Sequence, residues 1–348
     1  MDRVAIIPAR DRATLFREAS HRPPHILPQF IEKDFWVCWA LHHLFEVIGF
    51  RPHLIFKGGT SLSKVYHVIN RFSEDVDLSL SRRDLGFADD HDPEQADISK
   101  KEAKRRLDKL VEACQITVRE KLLPSLRDDF RALLGDEGWS VEMDAMDPQT
   151  ILFTYPISDV SEGMVYVRPV IRLEMGARSD DWPAEDAGIT PYAAEIFPEV
   201  FETSSAFVRT LAAERTFWEK ATLLHAEAHR PPDKPDRERH ARHYYDLAQL
   251  AGHPLGASAL GRFDLLERVI AHKTFFFASS WAHYEAARPG TFRLLPDNAA
   301  RLEGLRRDYE DMKSMIYGDV PSWDQIMGTL QNLEHRINHH QGVAKHSS

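Results

Sequence analysis

Cysteine is nearly absent from this chain: its 348 residues include two, Cys38 and Cys114. That number excludes a disulfide framework and makes a cysteine zinc site implausible. Each falls inside an apolar helical pattern, where a lone cysteine serves as a small buried hydrophobe. Such usage fits a reducing compartment. No apolar run approaches the ~18 residues that would cross a bilayer. Residues 1–10 carry charge and lack the apolar centre of a signal peptide. A cytoplasmic protein with no membrane attachment is expected. Basic charge is not in excess either: 44 lysines and arginines face 54 acidic residues, a net charge of −10. A uniformly basic nucleic-acid binder is therefore excluded, and any RNA contact would need a local basic patch.

What is present is a core-forming composition, 43% hydrophobic and 28% charged, on a chain long enough for two domains. Apolar residues recur at helical spacing over 29–48, predicting an amphipathic helix that ends at Gly49. Leu54-Ile55-Phe56 reads as a buried strand running into the turn Gly58-Gly59. A short helix over 61–69 and a strand over 76–80 follow. An acidic loop spans 84–96, and helical sequence covers 99–134 with a break at Pro124. Alternation over 139–145, 150–156 and 165–175 predicts three strands of one mostly antiparallel sheet. From Phe207 onward only helical patterns are expected: 207–229, 238–250, 263–279, 297–316 and 322–338. The proline- and charge-rich piece 230–239 reads as an exposed, mobile loop. The expected fold class is α+β with a mixed sheet. It comprises an α+β domain over 1–205, a helical domain over 206–340 and a disordered tail over 341–348.

One segment carries chemistry. Strand, Gly58-Gly59-Thr60-Ser61 turn, helix, and a strand bearing Asp75 and Asp77 form a unit over 53–80. Paired glycines let the backbone turn sharply and approach a ligand closely. Amides opening a helix, with two hydroxyls beside them, can cradle an anion such as a triphosphate. Asp75 and Asp77 lie two apart on a strand, so they share a face. Two repelling carboxylates invite a divalent cation, and magnesium takes carboxylate oxygens together with substrate phosphates. Glu174, a lone acid in the apolar strand 170–175, is either a third carboxylate of the site or the ion-pair partner of Arg172 or Arg168. Taken singly, each feature is also an ordinary turn, strand face or salt bridge. Their order makes the combination specific.

The runs 56–64 (Phe-Lys-Gly-Gly-Thr-Ser-Leu-Ser-Lys) and 71–78 (Arg-Phe-Ser-Glu-Asp-Val-Asp-Leu) resemble the AbiEii nucleotidyltransferase toxins, a family that includes the mycobacterial MenT toxins. Residues 31–37 are similar to the helix that opens before that motif. Glu214–Ala221 resembles the family's lysine motif, and Arg242–Leu247 resembles its later aspartate motif. The likeness covers roughly residues 30 to 280 in the family's order. It implies a polymerase-β-like nucleotidyltransferase domain followed by a helical domain. By the same resemblance, Asp75 and Asp77 bind magnesium, or manganese. Gly58, Gly59, Thr60, Ser61 and Lys64 hold the nucleotide, with Ser73 beside them. Lys220 contacts the triphosphate, and Asp246 completes the site. The implied role is a toxin of a type IV toxin–antitoxin or abortive-infection system, active in phage defence. It would transfer a nucleoside monophosphate from an NTP, most often to the tRNA 3′ end. A cognate antitoxin encoded nearby is the implied partner.

The residues alone leave alternatives open. Without the resemblance, Lys220 reads as the edge of an amphipathic helix. Tyr244 and Tyr245 read as core, as does the aromatic run that follows His272, with Lys273 a secondary phosphate candidate. Arg71 fits a phosphate or a nearby acid. The basic runs 100–106 and 237–242 read as solvated faces and as the available patches for RNA. A nucleotidyltransferase acting on a small molecule or a protein, and a non-catalytic nucleotide-binding defence module, remain the rival readings.

Overall fold

The computed structural model describes residues 1–73, 75–95, 97–158, 160 and 168–340. Glu74, the start of the expected strand 165–175 and the expected tail 341–348 lie outside the described residues. The chain forms two compact units, Met1–Ala212 and Ala213–Ser348.

The first unit is built on a seven-stranded mixed sheet. Its strands are β1 (Leu54–Lys57), β2 (Asp75–Leu80), β3 (Ser140–Met143), β4 (Thr150–Thr154), β5 (Val170–Gly176), β6 (Ala184–Ile189) and β7 (Ala206–Leu211). The spatial order is β3-β4-β5-β2-β1-β7-β6. β2 pairs parallel with β5 and antiparallel with β1. β1 pairs parallel with β7. Around the sheet lie α1 (Asp2–Ile6), α2 (Ala9–Ser20), α3 (Pro28–His42), α4 (Gly58–Lys64), α5 (Lys100–Thr117), α6 (Leu123–Leu134) and α7 (Tyr192–Ile196). The class is α+β, as the sequence predicts.

The alternation in β2 and β5 explains their placement. Val76 and Leu78 of β2, and Ile171, Leu173 and Met175 of β5, are buried. Side chains alternate across a strand, so Asp75, Asp77, Arg172 and Glu174 all fall on the opposite face. Against the apolar face packs an aromatic cluster containing Trp36, Trp39, Phe130, Phe153 and Tyr155.

Two expectations need correction. The helix over 29–48 is not amphipathic: α3 is buried all round from Gln29 to Leu41, and a π turn over His43–Val47 follows it. Its polar residues are used as internal clamps. Glu32 accepts the Ser158 amide at 2.7 Å, Lys33 donates to the Arg168 carbonyl at 3.1 Å, and Asp34 accepts the Tyr192 amide at 2.7 Å. Strands do not end before Phe207, because Ala206–Leu211 is β7, with Ala206, Val208 and Thr210 buried. The helix expected from Phe207 begins at Ala213. Residues 232–239 are exposed, as the composition predicts, and the start of the segment is held by Arg301. That guanidinium donates to the carbonyls of Arg230 (2.7 Å), Pro231 (3.1 Å) and Lys234 (3.3 Å), and to Asp236 Oδ1 (2.9 Å).

The second unit is helical: α8 (Ala213–Ala228), α9 (Ala241–Gly252), α10 (Pro254–Leu260), α11 (Phe263–Phe276), α12 (Ala299–Met312) and α13 (Trp323–Asn338). Its core holds Phe217, Trp218, Tyr244, Tyr245 and Tyr309. The two tyrosines of α9 are thus core residues. Ser322 and Gln325 form a reciprocal cap at the start of α13, which satisfies two otherwise free amide donors.

Candidate active site

The glycine turn and the carboxylates meet at one place in the first unit. Gly58 has φ +80°, a conformation that favours glycine. A Cβ at Gly58 would lie 1.9 Å from Asp77 Oδ2. Only a residue without a side chain lets the turn lie this close to the Asp77 carboxylate. At Gly59 an added Cβ would sit 2.7 Å from Arg71 Nη2 and 3.2 Å from Ser73 Oγ. The turn therefore runs between Asp77 on one side and Arg71 with Ser73 on the other.

Strand register assembles the acids. Asp75 lies opposite Arg172, and Asp77 opposite Glu174, across the β2–β5 pairing. Lys57 lies opposite Asp77 across β1–β2. Directly opposed residues share a face, so three carboxylates and two cations crowd one patch. Arg172 Nε is 3.2 Å from Glu174 and 3.8 Å from Asp75, while its Nη1 is 2.7 Å from Asp144. The ion pair weighed for Glu174 is therefore present. Even so, the Glu174 carboxyl titrates above its ordinary range. Burial is the largest cause, Asp75 and Asp77 add to it, and Arg172 partly opposes them. A carboxylate held among like charges gains from a proton or a cation.

The hydroxyls expected to face phosphate lock the turn instead. Thr60 Oγ1 donates to the Asp75 carbonyl at 2.5 Å and Ser61 Oγ to the Gly58 carbonyl at 2.9 Å. Lys64, grouped with this cradle on sequence, lies in a buried ion pair with Asp34 at 2.9 Å, its ammonium 3.6 Å from the centre of the Tyr192 ring. The pair fastens α4, and with it the glycine turn, to α3. No sequence pattern singles out Asp34, whereas Lys57 directly precedes the glycines. Asp144 arrives through the β3–β4 hairpin, and no motif marks it.

Among the described residues, no three histidine, cysteine or acidic side chains form a ready metal cage. Magnesium does not require one, since one or two carboxylates complete its shell with water and substrate phosphates. Asp75 and Asp77 supply hard oxygen donors, and the half-buried Gly58 lies directly beside Asp77. The donor set fits a divalent metal.

In the second unit, Lys220 of α8 pairs with Asp246 of α9 at 2.8 Å, and His243 Nδ1 lies 3.5 Å from the same ammonium. Asp246 is fully buried. Lys273 donates to the Glu219 carbonyl at 2.7 Å. Burial, reinforced by Arg215 and Lys220 and opposed by Glu219, lowers its ammonium to about 7.

Among solved structures, the chain is similar to MenT4, a nucleotidyltransferase toxin from Mycobacterium tuberculosis H37Rv. The identity is 16%, over 93% of this chain and 99% of that one, with a TM-score of 0.44. It is also similar to JHP933 from Helicobacter pylori, at 15% identity over 89% of this chain and 97% of that one, with a TM-score of 0.33. No curated protein matches it. The family described as nucleotidyl transferase AbiEii toxin, type IV TA system, matches residues 39–329. With most of its length matched, this chain belongs to the AbiEii family of nucleotidyltransferase toxins of type IV toxin–antitoxin systems.

Proposed function

We propose that the protein transfers a nucleoside monophosphate from an NTP to the 3′ end of tRNA, using magnesium held by Asp75 and Asp77. One observation supports this above the others: Asp75, Asp77 and Glu174 share a sheet face against a turn that only glycine can make beside Asp77. Bound at the two aspartates, magnesium would supply charge neutralisation for the phosphates and lower the pKa of a hydroxyl beside it.

The chain's own residues do the rest. Backbone amides of the glycine turn orient the β- and γ-phosphates, with Arg71 behind the turn. Glu174, whose proton affinity is raised by its acidic neighbours, takes the proton of the acceptor hydroxyl. That oxygen forms a bond to the α-phosphorus, the bond to the bridging oxygen breaks, and pyrophosphate leaves. Donors aimed at the leaving group stabilise charge as it develops. By the family's motif order, Lys220 binds a phosphate oxygen. A cognate antitoxin is the proposed partner.

The net charge of −10 favours a second acceptor class, a small molecule or a protein. The test is label transfer from α-labelled NTPs with magnesium, offered total RNA and total protein separately. Wild type should label RNA 3′ ends, and Asp77→Asn should lose at least a thousandfold in rate while its circular dichroism is unchanged. Full activity in Asp77→Asn would remove the carboxylate site. Label confined to protein would remove the tRNA acceptor.

A further inference from the structure

The second unit contains a recess of about 70 Å³, with apolar walls and a few polar side chains, between the end of α8, the 230–240 connection, α9 and α12. That is room for more than two waters at ~30 Å³ each, or for one edge of a heterocycle. We propose that this recess reads the base of a single-stranded RNA nucleotide, with the basic residues around its mouth holding the flanking phosphates. The inference rests on the reading that RNA is the acceptor.

Three observations carry it. First, His240 lines the recess and is 6% exposed, yet among the described residues its Nε2 has no hydrogen-bond partner. A buried ring nitrogen left unsatisfied is destabilising unless something binds it. Burial, together with Arg237, Arg242, Arg230 and Lys220, lowers its pKa to about 4, so the ring is neutral. A neutral imidazole can donate or accept according to tautomer, as reading a base edge requires.

Second, the recess favours a neutral ligand over an anion. Its walls include the carboxylates of Glu227, Asp236 and Asp308. Glu227 is paired with Arg230 at 3.3 Å and Arg237 at 3.4 Å, and Asp308 accepts the Ala241 amide at 2.7 Å. Two further lining residues, Arg237 and Arg301, are already paired with Glu227 and Asp236, so a phosphate pushed inside would find its cations engaged and would still meet Asp308. A base edge offers N–H groups to such acids and a ring nitrogen or carbonyl to His240 and Arg237. At the rim, Lys234, Arg237 and Arg239 are exposed and present positive charge suited to phosphates.

Third, the recess is preformed. Arg301 fixes the 230–236 backbone and Asp236 through the four bonds given above, and both Arg230 and Lys234 lie 5.3 Å from the Trp281 ring centre. Gly304 borders the recess with no spare room, since a Cβ there would stand 3.1 Å from Asp236 Oδ2. A site built before its ligand arrives loses less entropy on binding.

The test is fluorescence anisotropy of wild type with a labelled seven-nucleotide single-stranded RNA, each base in turn at one position. His240→Leu removes the reading nitrogen, and Gly304→Leu fills the recess. Each should weaken binding about tenfold, the scale of losing one base contact, and flatten the preference among bases. Because a variant can misfold, the wild-type ring is followed as well: its Nε2 ¹⁵N shift should move when RNA is added. Undiminished affinity and base preference in both variants, with a stationary ¹⁵N shift, would overturn the recess and leave the RNA reading intact. Absence of any RNA binding by wild type would overturn both.

Discussion

Each unit buries one lysine against one aspartate, and the surroundings of the two pairs differ. Lys64 and Asp34 are 2.9 Å apart, with side chains 3% and 4% exposed. Burial opposes the Lys64 charge, but Asp34, Cys38 and Glu195 outweigh it and raise the ammonium well above its ordinary value. Asp34 also accepts the Tyr192 amide, and the Tyr192 ring closes over Lys64. Lys220 and Asp246 are as close, 2.8 Å, but the lysine side chain keeps 9% of its surface open. It has other cations near it: burial lowers the Lys273 pKa most, and Arg215 and Lys220 lower it further. Like charges gathered in a largely buried place are unfavourable unless anions accompany them. Burial in an ion pair therefore does not by itself mark a functional lysine; under the proposed function, the remaining opening and the company of other cations are what set Lys220 apart.

Neutralising each pair in full should break this comparison or establish it. Lys64→Met alone leaves Asp34 buried and uncompensated, which typically costs about 3–5 kcal/mol. Lys64→Met with Asp34→Asn keeps an acceptor for the Tyr192 amide. It should recover most of the stability in urea unfolding and retain label transfer. Lys220→Met with Asp246→Asn should also fold, yet lose transfer by a hundredfold or more. Transfer at the wild-type rate in that second double variant would strip Lys220 of its phosphate role.

The glycine turn permits a finer contrast inside the first unit. Gly58 and Gly135 both hold positive φ, +80° and +77°, but an added Cβ meets Asp77 only at Gly58. Gly135, with ψ −158°, sits in a region open essentially only to glycine, so Gly135→Ala should cost about 1–3 kcal/mol from backbone strain alone. Gly58→Ala carries the strain of its own positive φ and displaces a carboxylate. Misplacing a reacting group by about 1 Å costs on the order of a hundredfold in rate. A Gly58→Ala protein with unaltered transfer would show that the turn and Asp77 need not touch for activity.

The site in the first unit was legible because its parts are close in the chain and follow local rules. Gly58, Gly59, Asp75 and Asp77 lie within one strand–turn–helix–strand unit, and two-residue spacing on a strand fixes the shared face. Glu174 was found through an anomaly, an acid amid apolar neighbours. What escaped depends on tertiary pairing. The β6 sequence Ala-Glu-Asp-Ala-Gly-Ile has little strand propensity, and it is a strand because β7 pairs with it. β7 runs almost directly into α8, so its alternation was absorbed into the helical pattern that follows. The 230–239 segment has the composition of a loose loop. Its order comes from Arg301, more than sixty residues away, and no local rule contains that. Lys64 looked like a phosphate ligand because its motif does. Asp34, on another helix, decides otherwise.

A last contrast separates the units by their response to acid. His225 is fully buried in the second unit. Its Nε2–H donates to the His283 carbonyl at 3.0 Å, and its Nδ1 accepts the Arg293 amide at 3.0 Å. Both nitrogens are in use only while the ring is neutral. Burial lowers its pKa to about 4 against the His283 bond, with the charges of His229, His283 and Arg293 assisting. His240 is lowered to about 4 as well. An unfolded histidine takes its proton near pH 6.5 and the folded one does not, so the unfolded state binds more protons between those values. Stability contributed by these rings is complete above pH 6.5 and falls as pH drops toward 4, by at most about 1.4 kcal/mol per pH unit for each histidine. Below pH 4 the loss stops growing. Amide exchange in α8 should quicken across this window relative to β1 and β2. His225→Gln, which can keep both hydrogen bonds and does not titrate, should flatten roughly half of that slope. An unchanged slope in His225→Gln would place the acid sensitivity on other groups and remove this difference between the two units.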